Sequence, residues 1–470
     1  MTTAGGAGDG VVVGSAAGRW VLLATVLGAG IAFLDSTVVN VALPAIGADL
    51  GAEVSGLQWV INGYLTTLSA LILLGGSLGD RYGRRRAFQI GVLWFALASL
   101  MCAASATMPM LIAARMLQGV GGALLTPGSL AIIKASFAPA DRARAIGVWA
   151  GLTGIAAAVG PFIGGLLVDA GSWRWIFLIN APLAVAVMIV LARAVPESAD
   201  PDAAPRLDIA GSALAGLGLG GVTYALIEAG ARGSIGPPVI GAGVVGLASL
   251  AGFVLVERRS RHPMLPLGLF SSRQFTGANL VTAMVYAARG AAFFLLVVYL
   301  QQALGYSALM AGSATLPVTM LMLALSARSG DLAQRIGPRL QLAAGPVVIA
   351  GGLALMVHIA PGASYATAVL PAVAMVGLGL SLTVAPLTAT ALAAAEDRHV
   401  GVASGVNNAV ARAAQLVAVA VIPGAVGLTG SALTEPAVFA AGFRSAMLIT
   451  AALATAGGAL GWLTIRNPVP

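Results

Sequence analysis

Apolar residues fall in blocks of about 20 along the whole chain, parted by short stretches that hold most of the charged residues. The blocks do not alternate residue by residue, so they are not the roughly ten-residue strands of a membrane barrel. At 1.5 Å per residue, a helix of about 20 residues crosses a hydrocarbon layer of roughly 30 Å. Fourteen spans are predicted, near 20–43, 57–78, 87–106, 109–133, 145–168, 175–194, 208–229, 235–256, 275–303, 309–327, 340–359, 365–392, 401–427 and 443–465. An even number returns both chain ends to one side of the membrane.

Composition narrows this to an all-α membrane protein. Of 470 residues, 59% are hydrophobic and 9% charged, where a soluble chain carries about a quarter charged. The net charge of +8 raises nucleic-acid binding, but its distribution argues for topology instead. With spans placed as above, 19 of the 25 Lys and Arg residues fall in loops and tails on one side, three on the other, and Arg115, Arg289 and Arg412 inside spans. The positive-inside rule then sets both termini in the cytoplasm. Lysine occurs once, at Lys134, beside abundant Ala and Gly. That bias suits a GC-rich bacterial genome, hence a bacterial inner membrane. Residues 1–18 lack the basic start and apolar stretch of a signal peptide and read as a disordered cytoplasmic tail. Cys102 is the sole cysteine, so no intrachain disulfide can form. His262, His358 and His399 have no metal-ligand spacing, and no phosphate-binding Gly-x-x-x-x-Gly-Lys loop occurs. No cofactor is expected, and ATP is not the energy source.

The chain repeats itself. Arg81-Tyr82-Gly83-Arg84-Arg85 after span 2 is matched by Arg335-Ile336-Gly337-Pro338-Arg339 after span 10, an offset of 254 residues. Asp141-Arg142 after span 4 is matched by Asp397-Arg398 after span 12, at 256. Spans 1–6 therefore correspond to spans 9–14, with spans 7 and 8 inserted between. The expected units are a six-helix bundle over 19–195, two inserted helices over 207–256 and a second bundle over 274–466. Two repeated bundles about a central path is transporter architecture.

An acid inside an apolar helix is costly and marks a functional site by default. Asp35 lies 16 residues beyond Arg19, about 24 Å up span 1. Arg115 lies about 9 Å below the outer surface on span 4, which runs inward. The two share a depth. A neighbouring arginine stabilises a charged carboxylate and burial stabilises the neutral acid, the balance a reversible proton carrier needs. A carboxylate permanently locked to its arginine is the other reading.

Four stretches carry a specific resemblance: Leu34-Asp35-Ser36-Thr37-Val38-Val39-Asn40; Gly76-Ser77-Leu78-Gly79-Asp80-Arg81-Tyr82-Gly83-Arg84; Arg115-Met116-Leu117-Gln118-Gly119; and Gly160-Pro161-Phe162-Ile163-Gly164-Gly165. Over essentially its whole length the chain resembles the fourteen-helix drug:proton antiporter branch of the major facilitator superfamily. Ala156 stands where that branch usually has glycine. The resemblance implies the major facilitator fold and a proton-driven exporter. It implies proton coupling at Asp35 and Arg115. It implies a conformational latch at Gly76, Asp80, Arg81, Gly83 and Arg84, closing on span 13, and the antiporter kink of exporters at Gly160, Pro161, Gly164 and Gly165, for which a generic packing kink is the other reading.

Candidate cavity contacts are Thr37, Asn40, Asn62, Tyr64, Gln118, Arg289, Asn407 and Arg412, with helix–helix hydrogen bonding as the other reading for Asn62, Tyr64, Gln118 and Asn407. Arginines outnumber acids within the spans, which favours a small, amphipathic neutral or anionic substrate over a cation. Expected partners are that small molecule, protons and lipid, with the protein a monomer. A metabolite importer and a non-transporting scaffold or sensor remain as rivals; the span-5 kink argues against the first and the buried charges against the second.

Overall fold

The computed structural model describes residues 11–201, 207–232, 235–260, 263–395, 400–430 and 432–467. Fourteen described helices are long and apolar enough to cross a membrane. They are α1 (Ala16–Leu50), α2 (Val54–Tyr82), α3 (Arg84–Ala103), α4 (Met108–Ser136), α5 (Pro139–Ala170), α6 (Trp175–Ala194) and α7 (Ile209–Ala231). Then follow α8 (Pro237–Arg259), α9 (Arg273–Gln302), α10 (Ala308–Ile336), α11 (Pro338–His358), α12 (Tyr365–Ala393), α13 (Gly401–Ala425) and α14 (Pro436–Thr464).

The number of spans agrees with the sequence, but several helices run longer. Apolar length measures only the part within lipid, whereas a helix can continue into water on charged side chains. Thus α10 carries Arg328, Asp331 and Arg335 beyond the expected span 309–327. The loop after α2 shrinks to Gly83, at φ 109°. The disordered tail is corrected in part. Residues 11–18 are ordered: Val11 N–H donates to the Ser136 carbonyl, Val13 N–H to Asp141 Oδ2, and Ser15 caps α1. Residues 1–10 lie outside the described residues, as do Arg206, Arg261, His262, Asp397, Arg398 and His399.

Helices α1–α6 pack together, and α9–α14 do the same. The halves meet where α2 packs on α13, α5 on α10 and α1 on α9. Of the inserted pair, α7 packs against α2 and α13 and so touches both halves, while α8 packs mainly on α7. Gly221 and Gly246 let α7 and α8 approach backbone to backbone.

The repeat holds in detail at the turns between second and third helices of each half. Gly337 has φ 82°, matching Gly83. Both conformations disfavour any residue with a Cβ. A Cβ on Gly83 would also lie 2.7 Å from Glu197 Oε1, whose carboxylate accepts from Arg85 and Arg86 N–H at the start of α3. Asn467 plays the same part at α11, accepting from Arg339 N–H. Each cap lies just past the last helix of its own bundle, so each chain segment leaving a bundle ties back to its turn.

Candidate functional site

The centre of the first bundle is a closed polar network around Asp35. Asp35 and Arg115 are each 1% exposed. Arg115 Nη1 donates to Asp35 Oδ2 at 2.6 Å and also to Gln118 Oε1. Gln118 Nε2 donates to Asp35 Oδ1 at 2.9 Å and to Ser99 Oγ at 2.7 Å. Asn180 Nδ2 reaches the same Oδ1 at 3.4 Å and Ser99 Oγ at 3.0 Å. Arg115 Nε donates to the Val60 carbonyl, and its guanidinium lies 4.5 Å from the Tyr64 ring centroid. Residues from α1, α2, α3, α4 and α6 thus converge on one ion pair.

Small residues make this convergence possible. A Cβ on Gly119 would lie 2.4 Å from the Tyr64 carbonyl, and one on Gly121 would lie 2.8 Å from the Phe95 backbone. The helix backbones of α2, α3 and α4 therefore touch beside the network. Asn180 follows the break in α6 at Ile179, which turns its amide inward.

A cavity with about 50 Å³ of space for water lies between the halves. Thr37, Asn40, Tyr64, Arg115, Arg289 and Arg412 line it, as the sequence predicts for five of them, with Phe293 and Gln415 added. Arg115 faces the cavity on one side and Asp35 on the other. Three of the expected contacts are corrected. Gln118 is spent on the ion pair. Asn407 donates to Thr282 Oγ1 at 2.9 Å and Asn279 Oδ1 at 3.2 Å, tying α13 to α9. Asn62 is fully buried on α2 with neither amide atom bonded, in a row with Thr66 and Ser69. In each case the helix's rotation within its bundle decides the facing, and a single polar residue does not reveal it.

The glycine-proline stretch of α5 joins the halves at the end opposite the arginine-rich turns. Gly164 packs on Val38 of α1. A Cβ on Gly165 would lie 2.5 Å from Leu309 Cα, and one on Gly312 of α10 would strike the Pro161 carbonyl. Asp169 accepts from Ala308 and Leu309 N–H at the start of α10, at 3.1 and 2.9 Å. Gln301 donates to the Val41 carbonyl and Gln58 to those of Val419 and Ala420 at the same end. This end is closed by packing and by hydrogen bonds.

The expected latch on α13 lies partly outside the described residues. Asp80 accepts from Arg84 at 2.8 Å, within its own bundle, and its carbonyl accepts from Asp200 N–H. Among the described residues it makes no bond to α13. The start of α13 follows residues outside the described set, and the segment after α6 occupies the turn instead. Gly76 meets Pro127 of α4 at ordinary contact distance, and Arg81 lies over Tyr82.

Residues 25–419 match the family model described as Major Facilitator Superfamily. The chain is 37% identical to the puromycin resistance protein pur8 of Streptomyces alboniger, over 86% of this chain and 81% of that protein. It is 35% identical to the methylenomycin A resistance protein of Bacillus subtilis, over 96% and 95%. It is 33% identical to the tetracenomycin C resistance and export protein of Streptomyces glaucescens, over 82% and 71%. Among solved structures, a bacterial homologue of the lysosomal transporter Spinster, inward-facing and unoccupied, superposes with TM-score 0.66 at 18% identity over 95% of this chain and 96% of that one. The POT family transporter PepTSo gives 0.68 at 15%, over 95% and 97%.

Proposed function

Because this chain belongs to the Major Facilitator Superfamily, we propose that it is a proton-driven exporter of a small, amphipathic antibiotic-like compound. The observation that carries this reading is the Asp35–Arg115 pair, sealed in the first bundle yet one side chain away from the cavity. The resistance and export proteins similar to it over most of its length support the direction of transport. The proton gradient is the energy source, and no cofactor is involved.

A proton arriving at Asp35 neutralises the carboxylate and releases Arg115. The guanidinium is not left bare, because Gln118 Oε1, the Val60 carbonyl and the Tyr64 ring remain as partners. Arg115 can then change its position in the cavity wall, so that the proton-loaded and substrate-loaded states differ. Loss of the proton restores the pair. Proton and substrate therefore act on one arginine from opposite sides, which is a coupling between two sites. The α5–α10 contact is the outer gate, and the glycines of α5 let it close.

The arginine-rich end faces the cytoplasm, with both termini there, and the protein sits as a monomer in the lipid of a bacterial inner membrane. Nucleic acid has no part. The test is transport by everted vesicles from cells carrying the protein, using compounds that inhibit a deletion strain more than its parent. Accumulation that a protonophore abolishes is expected. Accumulation unaffected by the protonophore contradicts proton drive.

A further inference from the structure

The second bundle holds two guanidinium groups that the exchange of protons does not use. Arg289 of α9 and Arg412 of α13 both line the cavity. Among the described residues, neither makes a hydrogen bond or ion pair with protein. Their neighbours are aromatic: Arg289 lies 5.8 Å from the Tyr286 ring centroid and 6.0 Å from Phe293, and Arg412 lies 6.0 Å from Phe33. The cavity lining contains three arginines and no acid. The nearby carboxylate, Asp35, is 1% exposed and already bound by Arg115, Gln118 and Asn180.

Two unpaired cations facing one small cavity inside a membrane protein are costly unless something of opposite charge visits them. A guanidinium offers five donors in a planar fork that matches a carboxylate or similar oxyanion, and it also stacks on aromatic planes. A lipophilic cation would meet repulsion and no counter-charge here. We propose that Arg289 and Arg412 form the head-group site for an organic anion, a carboxylate or enolate attached to an aromatic body, with Phe293 against its ring. This rests on the exporter reading and narrows its substrate class. Expelling an anion in exchange for protons moves more charge inward than expelling a neutral compound, so membrane potential adds to the drive.

The test uses three radiolabelled probes with one ring system and different charge: 2-naphthoate, 2-naphthamide and 2-naphthylmethylammonium. Equilibrium dialysis against the purified full-length protein should give at least tenfold tighter binding of naphthoate than of either other probe. Arg289→Gln and Arg412→Gln should each weaken naphthoate about tenfold and leave naphthamide unchanged, the tenfold corresponding to about 1.4 kcal/mol. Arg289→Lys should recover part of the loss. Equal binding of the three probes, preference for the cation, binding of none, or equal weakening of naphthoate and naphthamide overturns the proposal. Asp35→Asn separates it from the exporter reading, because naphthoate binding should survive in that variant while gradient-driven uptake into proteoliposomes does not. Arginine-dependent binding without any gradient-driven uptake leaves the anion site standing and removes the exporter. Gradient-driven uptake indifferent to charge does the reverse.

Discussion

The two bundles share a fold but treat charge in opposite ways. At the repeat offset of 254 residues, Asp35 in α1 falls on Arg289 in α9. Asp35 is enclosed, with both carboxylate oxygens bonded by residues of α4 and α6. Arg289 faces the cavity beside two aromatic rings. At the offset of 256 residues, Arg115 falls on Pro371 and Gln118 on Ala374, so the second bundle cannot build the network of the first. By contrast the mechanical parts are kept in both: the left-handed Gly83 and Gly337, and the Glu197 and Asn467 caps. The repeat is preserved where it shapes turns and broken where it holds charge within the spans. Under the proposed reading, one half couples and the other recognises.

The largest difference should appear in stability. Arg115→Ala leaves the Asp35 carboxylate buried and unpaired, which costs about 3–5 kcal/mol. Arg289→Ala forfeits only two distant ring contacts, about 1 kcal/mol or less. Thermal unfolding of the two variants in one detergent should therefore show a large drop for the first and little change for the second. Equal drops would mean that Arg289 is as tightly held as Arg115.

Closure of the α5–α10 end should respond next. Gly165→Val overpacks the contact with Leu309 by about 1–3 kcal/mol, which shifts a two-state balance roughly 5- to 150-fold toward opening. Labelling of a cysteine placed at that end, in a Cys102→Ser background, should rise accordingly. Unchanged labelling would show that the gate lies elsewhere. Asp169→Ala removes the acceptor at the start of α10 and should act in the same direction at about 1 kcal/mol. The smallest effect is expected at Asp80→Ala, about 1 kcal/mol or less, because that ion pair is half-exposed and lies within one bundle. A large shift in labelling for Asp80→Ala would show that it latches the halves together.

The sequence made the frame legible because lipid imposes length and charge rules on every span. Asp35 and Arg115 stood out because charge within an apolar run is rare, and helical rise placed them at one depth. Gly83 and Gly337 stood out through the repeat. Uncharged polar residues carried no such signal. Ser99, Asn279 and Thr282 look like any small polar residue in a membrane helix, and their roles depend on how α3, α9 and α13 are rotated. The bond of Asn180 to Asp35 likewise depends on the break in α6, which no local pattern marks. The caps from Glu197 and Asn467 join residues more than a hundred positions apart, beyond the reach of local pattern.

The most direct test of the account is Asp35→Asn in proteoliposomes, with the exported compound followed in two regimes. Asparagine keeps the volume and removes titration. The account predicts that a pH gradient no longer drives accumulation, while substrate exchange down its own gradient continues. Gradient-driven accumulation at the wild-type level in Asp35→Asn would contradict it.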